Sequence, residues 1–275
     1  MSALDTLVSA HSLSTAFGRT VAYTALYEGT SFATLSSTTL YKTDDTVTLT
    51  GIPDILSTKQ YPLPSPTILF LTPRHLTDLT TAVVREAEKS VVFRLAWRHK
   101  LAGIIDGYMN KDSLWDRLVF EGARTKVLGE GAATLRGLVV SGGIDSTVVT
   151  PTRIALSVPF VNAFTHPVVA APIFASHPLD LQTFAPSANA HVGPPVINVE
   201  TKLTGVEDDV VEKGGDPVGH LHVRGPIVGR ILTVSDNAEP EQKDQEEPWV
   251  PTGYKSRAQT NGSFKVWPLV ESLSK

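Results

Sequence analysis

Between Thr67 and Phe164 short apolar runs alternate with stretches of helical periodicity, and that alternation leaves few ways to fold. The run TILFLTP at 67–73 reads as a buried strand stopped by Pro73. Leu79, Val83, Ala87, Val91 and Leu95 then fall at helical spacing within 76–102, with Thr77 or Asp78 placed to cap the start. Residues 113–129 read as a second helix ending at Gly129. LRGLVVSGG at 135–143 is a strand entering a tight turn, and VPFVNAF at 158–164 is the next strand. Strands separated by helices run parallel with the helices laid against the sheet, so the expected fold class is α/β. Upstream, Phe17–Tyr27 reads as a helix, and 30–35 and 45–50 read as short strands. The proline-rich 61–66 is a connector, and beyond His191 the pattern turns to short strands and turns. The acidic stretch 236–248 reads as a solvated loop.

A net charge of −4 gives no basic face for releasing counterions, which argues against nucleic acid as a partner. The absence of cysteine excludes disulfides, thiolate catalysis and Cys-based metal sites. No apolar run reaches the length of a membrane span.

The stretch 141–146, SGGIDS, carries two readings. In one it is the phosphate loop of an ATP-pyrophosphatase-type enzyme, with Asp145 and a helix N-terminus facing the phosphates. That loop normally opens its domain and is followed by repeated β–α units, whereas here a helical region precedes it and β-rich segments follow.

The second reading comes from the flanks. LRGLVVSGGIDSTVV resembles the R-x-x-V-S-G-G region of the adenylate-forming acyl-CoA synthetases, and further blocks resemble that family in the same order along the chain. Residues 7–35 are similar to its P-L-A-H segment, 66–76 to P-T-I-F-x-x-V-P-R, and 93–129 to the helical insert of the long-chain fatty acyl-CoA synthetases. Residues 191–205 resemble S-V-G-x-P-x-x-x-V-E-x-K-L, 219–232 resemble G-E-I-x-x-R-G-P, and 249–266 resemble W-x-x-T-G-D followed by D-G-x-L-K-I. The resemblance implies part of the large N-terminal domain of an acyl-CoA synthetase, a sheet flanked by helices, plus a small β-rich subdomain. It divides the chain at 1–200 and 201–275, with a helical insert at about 77–129 and no C-terminal lid domain.

The family couples a fatty acid to AMP with ATP and Mg²⁺ and passes the acyl group to coenzyme A. Bringing a carboxylate to an anionic triphosphate requires cations, oriented donors and a metal. By the resemblance, Ser141, Gly142 and Gly143 form a turn that lets an adenine ring approach backbone, and Thr165 is a phosphate-side hydroxyl. Asn162 stands where the family has the aromatic residue behind adenine. His166 stands where it has the metal-binding glutamate, and imidazole is a poor partner for Mg²⁺. Tyr254 stands where it has the aspartate that holds both ribose hydroxyls, which a phenol cannot do. The phosphate loop, the hinge arginine and the lid lysine have no counterpart in the sequence. Each such group is worth about 2.7–4 kcal/mol in comparable sites. The expectation is therefore a pseudoenzyme, a scaffold or ligand-binding relative with no intact catalytic residue, no metal and no firmly held cofactor. The alternatives are an active long-chain ligase completed by missing segments or a second chain, and the ATP-pyrophosphatase reading.

His11 is either a pocket-lining residue or a hydrogen-bonded histidine at a helix start. His220, His222 and His191 raise a metal site, against structural roles for each. Trp97 and Trp115 read as core or interface, and Arg224-Gly225-Pro226 as a turn with an ion pair. Arg94, Arg98, His99 and Lys100 form a basic cluster that would either rest on an anionic membrane surface or be a solvated face. Sheet edges left uncovered imply a protein partner, and the family implies a fatty acyl ligand. The expected location is intracellular, cytoplasmic or peripheral on an organelle membrane.

Overall fold

The computed structural model describes residues 1–34, 65–183, 189–230 and 248–269. The strand expected at 45–50, most of the proline-rich connector and all but the last residue of the acidic stretch 236–248 lie outside the described residues.

A six-stranded sheet forms the centre, ordered β2 (Ser31–Thr34), β1 (Thr6–Ser9), β3 (Ile68–Leu71), β4 (Gly137–Ser141), β5 (Phe160–Phe164) and β6 (Phe174–Ala175). Every neighbouring pair from β2 to β5 is parallel, and only β6 is antiparallel. The fold class α/β is as the sequence implies.

Side-chain alternation sends the two sets of apolar residues to opposite faces. Val8, Leu69, Leu71, Leu138 and Val140 pack under a helical layer made of α2 (Pro73–Ala87), α3 (Phe93–Ile105), α4 (Glu121–Leu128), the short α5 (Gly131–Thr134) and α6 (Ser146–Leu156). Leu7, Phe70, Ile68 and Val139 face the other way, against Phe17, Val21 and Ala25 of α1 (Ala16–Glu28). Coverage on both faces is what parallel strands with apolar residues at successive positions require.

The helical region departs from the sequence expectation in two ways. α2 starts at Pro73, which suits the first helical position because it lacks an N–H, and neither Thr77 nor Asp78 caps it. The single helix expected over 76–102 is two helices joined by a turn at 88–92. A strict i, i+4 row drifts by about 40° per step around a helix of 3.6 residues per turn. Leu79, Val83 and Ala87 are buried, but Val91 is fully exposed and Leu95 is 59 % exposed. After the break Ala96, Lys100 and Ile104 supply the inward face instead. Lys100 thereby leaves the expected basic cluster, while Arg94, Arg98 and His99 remain on the surface.

The expected second helix opens with a π-helical stretch, Asp116–Phe120, before α4, and it ends at Gly129 in a positive-φ conformation. The stretch presents Asp116, fully buried, to two cations. Lys100 Nζ lies 2.6 Å from Oδ2 and Arg124 Nη2 lies 2.9 Å from Oδ1. The Ser113 hydroxyl donates to the same carboxylate at 2.7 Å, and Lys100 also donates to Ser157 Oγ beyond the end of α6. Burial pulls the Lys100 ammonium below its ordinary pKa, and Asp116 opposes that shift. One carboxylate thus joins α3, the π-helical stretch, α4 and the end of α6.

A second sheet is antiparallel, in the order β10 (Phe264–Pro268), β9 (Val250–Ala258), β8 (Val218–Arg224) and β7 (Glu200–Thr204). Leu221, Val223 and Val266 from it pack with Phe164, Val169, Ile173 and Phe174 from the end of the first sheet. A short helix, α7 (Asp208–Glu212), lies between β7 and β8.

Replacing Asp116 by Ala leaves Lys100 and Arg124 buried without their anion. The expected loss is about 3–5 kcal/mol of folding stability, read from the urea unfolding midpoint. A midpoint equal to wild type would show that the carboxylate does not hold this layer.

Candidate functional site

In a parallel sheet the carboxyl ends of all strands open on one edge, where α/β proteins bind ligands. Here that edge collects His11 after β1, Thr72 and His75 after β3, Ser141 and Gly142 at the end of β4, and Thr165 and His166 after β5.

Three of the expected site residues meet through hydrogen bonds. Thr165 Oγ1 donates to Ser141 Oγ at 3.2 Å, and Ser141 Oγ lies 3.3 Å from His11 Nε2. Burial lowers the His11 pKa, a hydrogen bond to the Leu71 carbonyl opposes the shift, and His75 reinforces it. A neutral His11 with its proton on Nδ1 has Nε2 free to accept the Ser141 hydroxyl proton. The His11 ring also stands edge-on to Phe17, 5.0 Å between centroids. His11 thus lies at the carboxyl edge and is packed there against Phe17. The pair Thr72 Oγ1 and His75 Nδ1, 2.6 Å apart on the same edge, was not singled out from sequence. Its only signal there was its place just after a strand.

Gly142 has φ +126°, and a Cβ added there would meet Pro73 Cγ at 2.8 Å. The turn after β4 therefore passes hard against the start of α2, and only glycine fits. Gly143 beside it is exposed, and a Cβ added there would stand at ordinary contact distance, 3.6 Å, from Asn189 Oδ1.

Asp145 does not face an open phosphate cradle. Its carboxylate caps α6, accepting from Thr147 N–H at 2.8 Å and Thr147 Oγ1 at 2.7 Å. A carboxylate already accepts from one of the first-turn amides that a phosphate would need, which weighs against the ATP-pyrophosphatase reading. Asn162 is 3 % exposed and donates through Nδ2 to the His191 carbonyl at 2.7 Å. It is turned into the protein, not placed behind a ligand ring.

His166 and Tyr254 come together from the two sheets, their rings perpendicular with centroids 5.9 Å apart. Tyr254 also stands edge-on to Phe164 at 4.9 Å. His166 Nδ1 accepts from Val168 N–H at 3.3 Å, and the ring donates to the main chain of Thr252. Nδ1 is thus engaged with the main chain. Burial lowers its pKa, and the Thr252 contact opposes that shift. The donor set does not fit Mg²⁺, which takes oxygen ligands.

The other histidines stay apart. His191 Nε2 pairs with Asp180 Oδ2 at 2.9 Å, while His222 Nε2 meets Thr204 Oγ1 at 3.1 Å on the outer face of β8. Among the described residues no three His, Cys, Asp or Glu side chains cluster as a metal site. Arg224 makes an ion pair with Glu200 and lies over the Trp249 ring at 4.7 Å, and Gly225 follows with φ +140°.

No family profile matches the sequence. The chain is 26 % identical over 212 residues to human long-chain-fatty-acid–CoA ligase 1, covering 73 % of this chain and 28 % of the ligase. The guinea pig (Cavia porcellus) ligase of the same name is 27 % identical over 207 residues, with the same coverage. Among solved structures, a malonyl-CoA ligase with methylmalonyl-CoA and AMP bound aligns with a TM-score of 0.56 at 15 % identity, over 97 % of this chain and 44 % of its own. The N-terminal subdomain of Klebsiella oxytoca NpsA, in complex with 3-hydroxyanthranilyl-AMSN, aligns at 0.58 and 13 % identity, over 98 % and 55 %. The chain resembles long-chain-fatty-acid–CoA ligases in sequence over 73 % of its length. Its fold matches the N-terminal domain of these ligases, and it spans 28 % of the length of the curated relatives it matches. Among the described residues no helix is long and apolar enough to cross a membrane.

Because His11 and His166 have folded-state pKa values below the ordinary 6.5, protonation favours the unfolded chain. Stability is therefore complete above about pH 6.5 and falls as pH drops through the lower folded values. Urea midpoints between about pH 7 and 5 are expected to decline in wild type and to decline less in His166→Phe. Equal slopes would show that His166 is not held neutral.

Proposed function

We propose that this chain is a long-chain acyl-CoA synthetase-like pseudoenzyme. It binds an acyl or nucleotide ligand at the carboxyl edge of its parallel sheet and does not form acyl-adenylate by itself. The observation that carries this reading is the state of His166. At the position where the resemblance puts the metal-binding carboxylate stands an imidazole whose pKa is lowered by burial and whose Nδ1 accepts from the Val168 N–H. Its neighbour Tyr254, at the ribose position, is packed against Phe164 and offers one hydroxyl. What remains at the edge is neutral: the hydroxyls of Ser141 and Thr165 and the exposed backbone at Gly143. Such groups can accept an adenylate-like or acyl ligand, but they do not neutralise a developing pentavalent phosphate. Long-chain preference is supported by the named human and guinea pig relatives. A scaffold role in lipid metabolism, with a protein partner, belongs to the same reading, and β2 is the outer strand of the sheet among the described residues.

A second reading, an active ligase completed by further segments or another polypeptide, is favoured by the same retained hydroxyls and by the short span of the relatives that the chain covers. The ATP and Mg²⁺ of the family would then be held largely by residues outside this chain.

Pyrophosphate release from ATP, Mg²⁺ and palmitate separates the two. The isolated chain is expected to release none above background, and AMP is expected to bind without any Mg²⁺ dependence. Stoichiometric acyl-adenylate formation by the chain alone would overturn the pseudoenzyme reading. Activity only on adding a second polypeptide would establish the alternative.

A further inference from the structure

α3 turns Ala96, Lys100 and Ile104 into the helical layer. At about 100° per residue, the opposite face carries Leu95, Arg98, Ala102 and Ile105, with Arg94 beside them. Leu95 and Ile105 are 59 % and 65 % exposed, and Val91, in the turn before the helix, is fully exposed. The stretch 114–118 adjoins α3 where the His99 ring meets Trp115, 6.1 Å between centroids. It adds Leu114 and Leu118, 64 % and 58 % exposed, and an exposed Arg117.

The charge on this face is of one sign. Residues 89–105 hold no Asp or Glu, although the whole chain has a net charge of −4. The nearest acids in sequence are Glu88 before the helix and Asp106 after it. Lys100 is turned inward to Asp116, so the cations left outside are arginines. Among the described residues Arg94, Arg98 and Arg117 make no ion pair. Single exposed apolar side chains are ordinary on a protein surface. Here several share one face with unpaired guanidiniums and no carboxylate between them. An outward face of that composition is complementary to a surface that is anionic above and apolar just beneath, which is the headgroup boundary of a bilayer.

We propose that α3 and the stretch 114–118 form a docking face for an anionic lipid bilayer. Val91, Leu95 and Ile105 enter the acyl boundary. Arg94, Arg98 and Arg117 lay their stems along it and reach up to lipid phosphates. A protein partner suits the face less well, because it would have to bury three guanidiniums and supply a carboxylate to each. The inference does not depend on whether the carboxyl edge is catalytically active.

The chain has no cysteine, so one introduced thiol takes an environment-sensitive nitrobenzoxadiazole label at a single place. Leu95→Cys puts it on the face. Leu26→Cys puts it on α1, at a residue 76 % exposed, on the other side of the parallel sheet. With vesicles of phosphatidylcholine containing phosphatidylserine, the Leu95→Cys label is expected to brighten saturably and the Leu26→Cys label to stay unchanged. Sedimentation of the unlabelled 275-residue chain with the same vesicles gives the affinity. Combining Arg94→Gln with Arg98→Gln should weaken it about 25-fold, since each cation near the surface contributes about fivefold. Ile105→Ser should weaken it about tenfold. Both changes lie on the surface, so urea midpoints should match wild type. Tyr23→Ser on α1 should leave binding intact. Equal affinity for phosphatidylcholine alone, an undiminished affinity in the double arginine variant, or an equal response from the Leu26→Cys label would overturn the proposal. So would a Leu95→Cys signal that follows protein concentration without vesicles, which would mark a second copy on this face.

Discussion

Parallel pairing of β1, β3, β4 and β5 is the constraint on which the rest depends. It aims every strand's carboxyl end at the same edge, so segments far apart in sequence arrive side by side: His11, Thr72, Ser141 and Thr165. The same pairing buries the strands on both faces, which fixes where α1 and the helical layer must lie. Nothing in the hydroxyl–imidazole chain of Thr165, Ser141 and His11 is local in sequence, and all of it follows from strand order.

At the end of β5 that architecture takes a different course from the one chemistry would ask for. A carboxylate there would carry charge that only a metal or a cation could balance. His166 instead sits neutral, clasped between Val168 and Thr252 and set against the Tyr254 ring. The contact runs from the parallel sheet to the antiparallel one. Cohesion between the two sheets occupies the place where a ligand-binding group is expected, and each aromatic contact of this kind adds about 0.5–1.5 kcal/mol beyond area burial.

The helical layer shows the opposite economy of charge. Lys100, Arg124 and Arg153 are buried there, while Asp116 is the carboxylate that meets two of them. Such an arrangement is sustained by main-chain carbonyls at Asn110, Ala155, Asp180 and Gln182. It makes this layer polar inside a shell of Leu and Val, with one guanidinium donor left over.

The alternation of apolar runs and helical stretches was enough to determine the α/β class and the strands of the parallel sheet from β3 to β5, and collinear motifs carried the family resemblance. These are encoded by local periodicity and by short motifs, which a chain carries wherever it folds. Local reading also located Ser141, Gly142 and Thr165 at strand ends. It failed where a side chain's role is set by what packs on it from elsewhere. It left Lys100 on a basic surface, although a π-helical stretch brings Asp116 to it. It left a phosphate role for Asp145 open as an alternative, although the helix start claims that carboxylate. It read Asn162 as facing a ligand, although the His191 carbonyl draws it inward. Burial and hydrogen-bond partners are properties of the assembled layers, and only the tertiary structure decided them.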